Sequence, residues 1–274
     1  MTTASAPVPR LRSRRQTHGL RKLLLGIVGI AGFLLTWELI PLAKIVSPEY
    51  LPPASTVLGV LVTEFMDLEF WRNVGRTMTT WGVGLLIATV AATAIGTIVG
   101  LVPALRRFTH TTVEFLRPIP SVALIPLAIL MFGFQMPAAL LIVVYASFWQ
   151  VFVQVLYGVA DVDTVARDTA RSFGLTRAER FRNLVLPTAL PYIMTGVRLG
   201  AAVALILTVT AELLIAVPGI GRIIVFARSA GDVPTVYAYV VVAGLLGLIV
   251  NLVFRLVERR VLSWHQSVRG EDPA

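Results

Sequence analysis

The sequence contains no cysteine among its 274 residues and only three histidines, which are scattered at positions 18, 110 and 265. Without cysteine, disulfide bonds, thiolate catalysis and cysteine-ligated zinc or iron-sulfur sites are excluded. Three scattered histidines do not suit a histidine metal cage. Acidic residues are also few and form no cluster, which argues against a membrane enzyme. We therefore expect no metal or cofactor site in this chain.

Charge is scarce, since charged residues make up 14% of the chain, apolar residues make up 56%, and the mean hydropathy is +0.80. An ordinary soluble domain has about 25% charged and roughly 45 to 50% apolar residues. The composition therefore predicts an all-α, polytopic membrane protein. The net charge of +9 is explained by basic loops at the membrane surface, so no nucleic-acid partner is expected.

Long uncharged runs predict six membrane-spanning helices, because a bilayer core about 30 Å thick needs roughly 20 apolar residues. The run 118–160 is long enough for two spans, and Gly, Gln and Pro within 132–137 predict a tight reversal between them. We expect a membrane domain over 23–262 between a disordered basic tail, 1–22, and a second tail, 263–274. The predicted spans are 23–43, 79–103, 119–133, 137–158, 192–217 and 235–256.

The distribution of Lys and Arg predicts that both termini are cytoplasmic. Six Lys and Arg residues lie in the N-terminal tail, three follow the second span, five follow the fourth span and four lie in the C-terminal tail. The segments after the first, third and fifth spans hold three, none and two Lys and Arg residues. Cytoplasmic loops keep such residues and translocated loops lack them. A cleavable signal peptide at the start is the alternative, but cleavage would leave five spans and put the terminal charges on conflicting sides.

The loop 159–191, between the fourth and fifth spans, mixes charged and apolar residues at helical spacing. Gly174 is expected to end a first short helix in a left-handed turn, and Thr176 with Glu179 predicts a capping box for a second. Pro187 is expected to stop that second helix. The interpretation is a rigid elbow, and the alternative is a solvated connector whose apolar face packs on the rest of the chain. That face contains Val162, Val165, Ala166, Thr169, Ala170 and Phe173.

The same loop resembles the cytoplasmic signature of permease subunits of ATP-binding-cassette importers. That signature reads E-A-A, three residues, G, nine residues, an aliphatic residue, one more residue, then L-P. Here Asp168, Thr169 and Ala170 stand at the first three positions, so Asp replaces Glu and Thr replaces Ala, while Gly174 and the run 184–187 keep the spacing. Further segments across residues 50–262 are similar to the nitrate, sulfonate and taurine permease group: 115–120, 123–130, 132–133, 170–174, 186–191, 211–212 and 218–221.

This resemblance implies the type I importer transmembrane fold in a bacterial inner membrane. It implies a pathway formed by two permease copies, a dimer of ATPase subunits that binds ATP and Mg, and an extracytoplasmic substrate-binding protein. The cargo implied is a small anionic solute such as an aliphatic sulfonate, taurine or nitrate. The residues implied to couple to the ATPase are Asp168, Thr169, Ala170, Arg171, Phe173, Gly174, Leu184, Leu186 and Pro187.

The residues themselves also indicate that any ATPase is a separate protein. The chain has only two lysines, Lys22 and Lys44, and neither belongs to a Gly-Lys-Ser/Thr phosphate-binding loop. This chain is therefore not expected to be an enzyme. The alternative function is a secondary transporter or channel that needs no ATPase. Against it, the sequence has no inverted repeat of broken helices and no acidic pair inside the membrane for coupling ions.

Two charged residues, Arg198 and Glu212, fall inside the fifth predicted span. Each costs at least about 2.5 to 3.5 kcal/mol at the membrane centre. Arg198 lies near the cytoplasmic end, where it can also snorkel to the interface. Glu212, with Pro218, Gly219 and Gly221 after it, is a candidate for the external gate or pathway. The alternative for Glu212 is a structural hydrogen bond within the bundle.

Glycines in the second predicted span indicate close helix packing. Gly96 and Gly100 are four residues apart, and Gly82 and Gly84 precede them. Small residues at this spacing let two helix backbones approach in a membrane.

Overall fold

The computed structural model describes residues 14–263, and for residues 14–20, 22 and 23 it describes the backbone alone. Most of the two predicted tails therefore lies outside the described residues. Within the described range every regular element is helical, in agreement with the predicted all-α class. The chain divides into two compact units, one ending at Val60 and the other beginning at Leu61.

The first unit contains the first membrane helix and the start of the second helix. Helix α1 is Arg14–Leu42, and its part Leu24–Leu42 is long and apolar enough to cross a membrane. Helix α2, Ala54–Phe65, begins after two prolines. The Glu38 carboxylate accepts hydrogen bonds from the Ser55 N–H (2.9 Å) and the Ser55 hydroxyl (2.8 Å). Glu38 therefore satisfies a backbone donor in the first turn of α2.

The second unit contains the remaining helices, and four of its helical runs are long and apolar enough to cross a membrane: Leu68–Leu101, Met136–Ala160, Arg177–Ile215 and Val233–Val261. With α1, the described residues thus supply five such helices. The elements are α3 (Leu68–Leu101), α4 (Pro103–Leu116), a 3-10 turn (Ser121–Leu124), α5 (Ile125–Phe132), α6 (Met136–Ala160), α7 (Thr164–Ser172), α8 (Arg177–Arg180), a π-helical segment (Phe181–Val185), α9 (Leu186–Ile215), α10 (Ile220–Ser229) and α11 (Val233–Val261).

The third predicted span, 119–133, is not one continuous helix. It consists of the 3-10 turn and α5, and the pair formed by this segment and α4 is bent by 82°. Helix α5 has 8 residues and so rises only about 12 Å. A sixth crossing exists only if the bent pair counts as one span. Pro118 and Pro120 explain the break, because each lacks a backbone N–H and restricts the residue before it.

The structure has a helix break within 132–137, where the sequence predicts a reversal. Helix α5 ends at Phe132, Gly133 has a φ of +67°, and α6 begins at Met136. A positive φ is readily adopted by glycine because it has no Cβ. This turn joins the short α5 to the long α6, which lies in the centre of the core.

Helix α3 packs against α6 through glycines. A Cβ added at Gly84 would lie 2.6 Å from Val143 Cγ1, and one at Gly100 would lie 2.9 Å from the Val159 Cβ. At Gly96 the nearest atom would be 3.0 Å away, whereas at Gly82 no atom lies within 4 Å. The predicted close packing is confirmed for Gly84, Gly96 and Gly100, and Gly82 takes no part in it.

Candidate functional site: the elbow and a buried glutamate

The first helix of the predicted elbow, α7, is capped at both ends. At its start the Asp163 carboxylate accepts a hydrogen bond from the Val165 N–H (2.8 Å). At its end Gly174 has a φ of +73°, and the Leu175 N–H donates to the Ala170 carbonyl (3.0 Å). The left-handed turn predicted at Gly174 is confirmed. These caps satisfy backbone groups that a short isolated helix would leave without partners.

The second helix of the elbow begins with the predicted capping box. The Glu179 N–H donates to the Thr176 hydroxyl oxygen (3.3 Å), and the Thr176 N–H donates to the Glu179 carboxylate (2.8 Å). The Thr176 hydroxyl also donates to that carboxylate (2.7 Å). Because two backbone donors are satisfied reciprocally, the direction of α8 is fixed relative to the turn at Gly174.

The prediction that Pro187 stops the second helix is wrong. The chain stays helical through α8 and the π-helical segment and passes directly into α9, whose first turn contains Pro187. In the π-helical segment the Leu186 N–H reaches the carbonyl of Phe181, five residues back. This wider turn lies just before Pro187, which has no backbone N–H to donate. Sequence reasoning treated Pro187 as an interior breaker, whereas a first-turn proline is compatible with a helix.

The apolar side chains of the elbow are only partly covered by the chain itself. Val162 is 4% exposed, whereas Val165 is 70% exposed and Phe173 is 80% exposed. Asp168 and Arg171 are also exposed, and they pair with each other at 3.3 Å. The described part of the chain thus leaves Val165 and Phe173 open. Of the other predicted coupling residues, Thr169, Leu186 and Pro187 are exposed, and Ala170 and Leu184 are half-buried.

Glu212 lies at the opposite end of α9, roughly 38 Å along the axis from Pro187 at 1.5 Å per residue. Its side chain is fully buried. Glu212 Oε2 accepts hydrogen bonds from the Thr77 hydroxyl (3.0 Å) and the Gly221 N–H (2.9 Å). The Thr77 hydroxyl oxygen in turn accepts one from the Ile220 N–H (3.0 Å). The carboxyl group therefore joins α9, α3 and the first turn of α10, and we call Thr77, Glu212, Ile220 and Gly221 the buried clamp.

Glycine is required beside the buried clamp because the backbone approaches Glu212 closely. A Cβ at Gly221 would lie 2.6 Å from the Glu212 Cβ and 2.7 Å from the Val209 carbonyl oxygen. A Cβ at Gly219 would overlap the Glu212 carboxyl group itself. Pro218 is exposed in the turn that leads to these glycines. The structure thus brings Glu212, Gly219 and Gly221 together and leaves Pro218 at the surface.

Thr77 is the member of the clamp that sequence reasoning missed. It begins the uncharged run of the second span, and a threonine there carries no motif. Its partner Glu212 is 135 residues away. A buried Glu in a span does indicate that some polar partner exists, but it does not indicate which residue.

Arg198, the other charged residue of the fifth span, forms an ion pair within the protein. Its Nη1 atom lies 2.9 Å from Glu258 Oε2 on α11, and the two side chains are 38% and 20% exposed. The pair joins α9 to α11. Among the described residues, no group of three or more Asp, Glu or His side chains could hold a metal ion.

Comparison with known proteins gives consistent matches over most of the chain. Residues 84–263 match the family described as binding-protein-dependent transport system inner membrane component. The chain is 32% identical over 257 residues to the taurine transport system permease protein TauC of Escherichia coli (strain K12), covering 91% of this chain and 92% of that protein. It is 26% identical over 268 residues to the bicarbonate transport system permease protein CmpB of Synechococcus elongatus, covering 92% and 96%.

The fold is similar to that of a solved importer. A chain of the MetNI methionine ABC transporter, in inward-facing conformations, superposes with a TM-score of 0.62 at 18% identity and covers 72% of this chain and 97% of that chain. The type I importer fold implied by the loop signature is therefore confirmed, as is the resemblance to the nitrate, sulfonate and taurine group. The chain is a multi-pass inner membrane protein that belongs to the binding-protein-dependent transport system inner membrane component family, the permease subunits of ATP-binding-cassette importers.

Proposed function

We propose that this chain forms half of the import pathway for a small anionic solute such as an aliphatic sulfonate, taurine, nitrate or bicarbonate. Its similarity to TauC and CmpB supports this cargo class, because taurine and bicarbonate are both small and both carry an anionic group. An extracytoplasmic binding protein delivers the solute. Both termini lie in the cytoplasm, as the excess of Lys and Arg in alternate loops indicates.

Energy for transport comes from a separate dimer of ATPase subunits, which binds ATP and Mg and docks on the elbow. The observation that carries this proposal is the exposure of Val165 and Phe173 on a short helix with both ends capped. Exposed apolar side chains on a rigid element are typical of a protein–protein contact. The coupling residues are those of the signature, from Asp168 to Pro187, with Gly174 setting the angle of the elbow.

A second copy of this chain completes the pathway. The cavity of about 470 Å³ between α9 and α11 is lined mainly by apolar side chains such as Leu205, Ile206 and Val250. Arg198 and Asn251 also line it. The buried clamp holds the outer ends of α3, α9 and α10 in one arrangement, so Glu212 acts as a structural tie next to the external gate rather than as a cargo ligand. A lone carboxylate would repel an anion.

The decisive experiment replaces Gly174 with valine. The φ of +73° at this position disfavours a residue with a Cβ by about 1 to 2 kcal/mol, so the angle between the two elbow helices should change. The variant is reconstituted in liposomes with its ATPase subunits and binding protein, and cargo uptake and ATP hydrolysis are measured together. We expect uptake per ATP to fall while membrane insertion is unchanged.

The matched control is Gly231→Val between α10 and α11. Gly231 has a φ of +75°, and neither glycine has an atom within 4 Å of an added Cβ, so the backbone strain is the same. Equal loss of coupling in both variants, or normal coupling at Gly174→Val, would contradict the docking role of the elbow. Cargo flux through this chain alone, without an ATPase, would instead favour the secondary transporter or channel.

A further inference from the structure

An arginine-lined pocket lies where the elbow meets the ends of the membrane helices. The cavity has a volume of about 320 Å³, and its wall includes Leu101 and Val102 at the end of α3. No carboxylate is among its lining residues. The four basic residues that line it are Arg167, Arg171, Arg177 and Arg180.

Only one of the four arginines that line this pocket forms an ion pair within the described part of the chain. Arg171 pairs with Asp168 at 3.3 Å, but both side chains are mostly exposed. Glu179, the nearest carboxylate along the second helix, is occupied by the hydrogen bonds from Thr176. The Arg180 Nε atom is buried and has no hydrogen-bond partner.

We expect the pocket to lie near the depth of the lipid headgroups, because it borders the end of an apolar membrane helix. Leu101 ends a helix whose uncharged run extends from 77 to 105. Helix α4 follows directly, and its side chains Phe108 and Phe115 are 81% and 72% exposed. A helix with an exposed apolar face and basic residues on its other side is typical of the membrane interface. We therefore expect the bilayer core to end close to Leu101 and Val102.

We propose that this pocket binds a phosphate-type oxyanion, with the headgroup phosphate of an anionic phospholipid as its source. A phosphodiester presents acceptor oxygens that match the planar fork of a guanidinium group, and Leu101 with Val102 offers an apolar contact for the first carbons of the lipid. An acidic side chain of the ATPase is the competing occupant. The cavity volume of about 320 Å³ suits a small group such as a phosphodiester rather than a segment of another protein. The proposal rests on the cytoplasmic placement of the elbow but not on its docking role.

The test measures lipid retention by the full-length chain. The protein is purified in detergent, delipidated, and titrated with phosphatidylglycerol or with phosphatidylcholine, and bound lipid is counted by native mass spectrometry. For the double variant Arg177→Gln/Arg180→Gln we expect phosphatidylglycerol binding to weaken about tenfold. The control Arg106→Gln/Arg107→Gln removes the same charge from α4, outside the pocket, and should weaken binding by less than about threefold. A second pocket variant, Arg177→Lys/Arg180→Lys, keeps the positive charge but loses the planar guanidinium groups. Its loss of phosphatidylglycerol binding should lie between those of the pocket and control variants.

Two further measurements identify the source of the oxyanion. Selective binding of phosphatidylglycerol that inorganic phosphate does not displace supports the lipid headgroup. Displacement by inorganic phosphate supports the same site with a free oxyanion as its ligand. Equal losses in the pocket and control variants would overturn the proposal, since general surface charge would then explain binding. Normal lipid binding in the Gln variant with loss of ATPase copurification would also overturn it and would assign the pocket to the ATPase. The Gly174→Val test reports on coupling alone, so failure of one proposal leaves the other measurable.

Discussion

The substitution Thr77→Val tests whether the buried clamp holds α3, α9 and α10 together. Thr77 is fully buried, and its hydroxyl takes part in two hydrogen bonds of 3.0 Å. It donates to Glu212 on α9 and accepts from the Ile220 N–H at the start of α10. Valine has nearly the same shape as threonine, so the substitution removes these two bonds without opening a large cavity.

The expected loss of stability follows from the groups that remain. The Ile220 N–H is left buried without a partner, which costs about 1 to 3 kcal/mol. The lost bond to Glu212 adds roughly 0.5 to 1.5 kcal/mol. The free energy of unfolding should therefore fall by about 1.5 to 4.5 kcal/mol. For a domain of 150 to 250 residues this corresponds to a Tm lower by roughly 3 to 18 °C.

The assay is thermal unfolding of the purified protein, followed by the fraction that stays monodisperse after heating. Thr79→Val is the matched control, because the Thr79 hydroxyl is exposed and bonds only to the Gly75 carbonyl within α3. We expect this control to change the unfolding free energy by less than about 0.5 kcal/mol. A Tm for Thr77→Val equal to that of the control would show that the clamp contributes no stability, and the reasoning would be refuted.

The remaining predictions concern the same helices. Glu212→Gln should keep near-normal stability and transport, because its amide oxygen can replace Oε2 as acceptor; a large loss of transport at normal Tm would indicate a gating carboxylate. Gly84→Ala places a Cβ 2.6 Å from a valine methyl group on α6, so the free energy of unfolding should fall by about 1 to 3 kcal/mol. Gly82→Ala should leave the free energy of unfolding unchanged, and equal melting curves for the two variants would contradict this prediction. A double-mutant cycle between Arg198 and Glu258 should give a coupling of about 0.5 to 1 kcal/mol, and additive effects would show no ion-pair contribution.

Local features of the elbow could be predicted from the sequence because both partners are close together along the chain. The left-handed turn at Gly174 and the capping box of Thr176 with Glu179 each depend on residues within four positions. Hydrophobic length was equally informative for the long helices. The close packing at Gly96 and Gly100 followed from their spacing alone, since small residues at that interval have few other uses in a membrane helix.

Two kinds of feature could not be predicted. The partnership of Thr77 and Glu212 joins residues 135 positions apart, and many other buried hydroxyls would have fitted the carboxylate equally well. The prediction of one continuous third span failed for a different reason. Hydropathy counts the residues of 119–133 as apolar, but it takes no account of Pro118 and Pro120, which interrupt the helix. The prediction for Pro187 was wrong in the opposite direction. This proline was expected to end a helix, but it lies in the first turn of α9, where it does not interrupt the helix.

Helix α9 connects the two candidate functional regions, and this connection suggests how movement of the elbow could reach the outer side. The helix is continuous from Leu186 to Ile215 and carries Glu212 near its far end. Glycines on α3 bring that helix close to α6, and packed helices move as rigid bodies more readily than they bend. The π-helical segment Phe181–Val185 lies between the elbow and α9, and such irregular turns often mark hinges. Under the docking proposed above, movement of the elbow would turn α9 as a rod about this segment. The buried clamp then moves α3 and the first turn of α10 with it, because its hydrogen bonds tie both to Glu212.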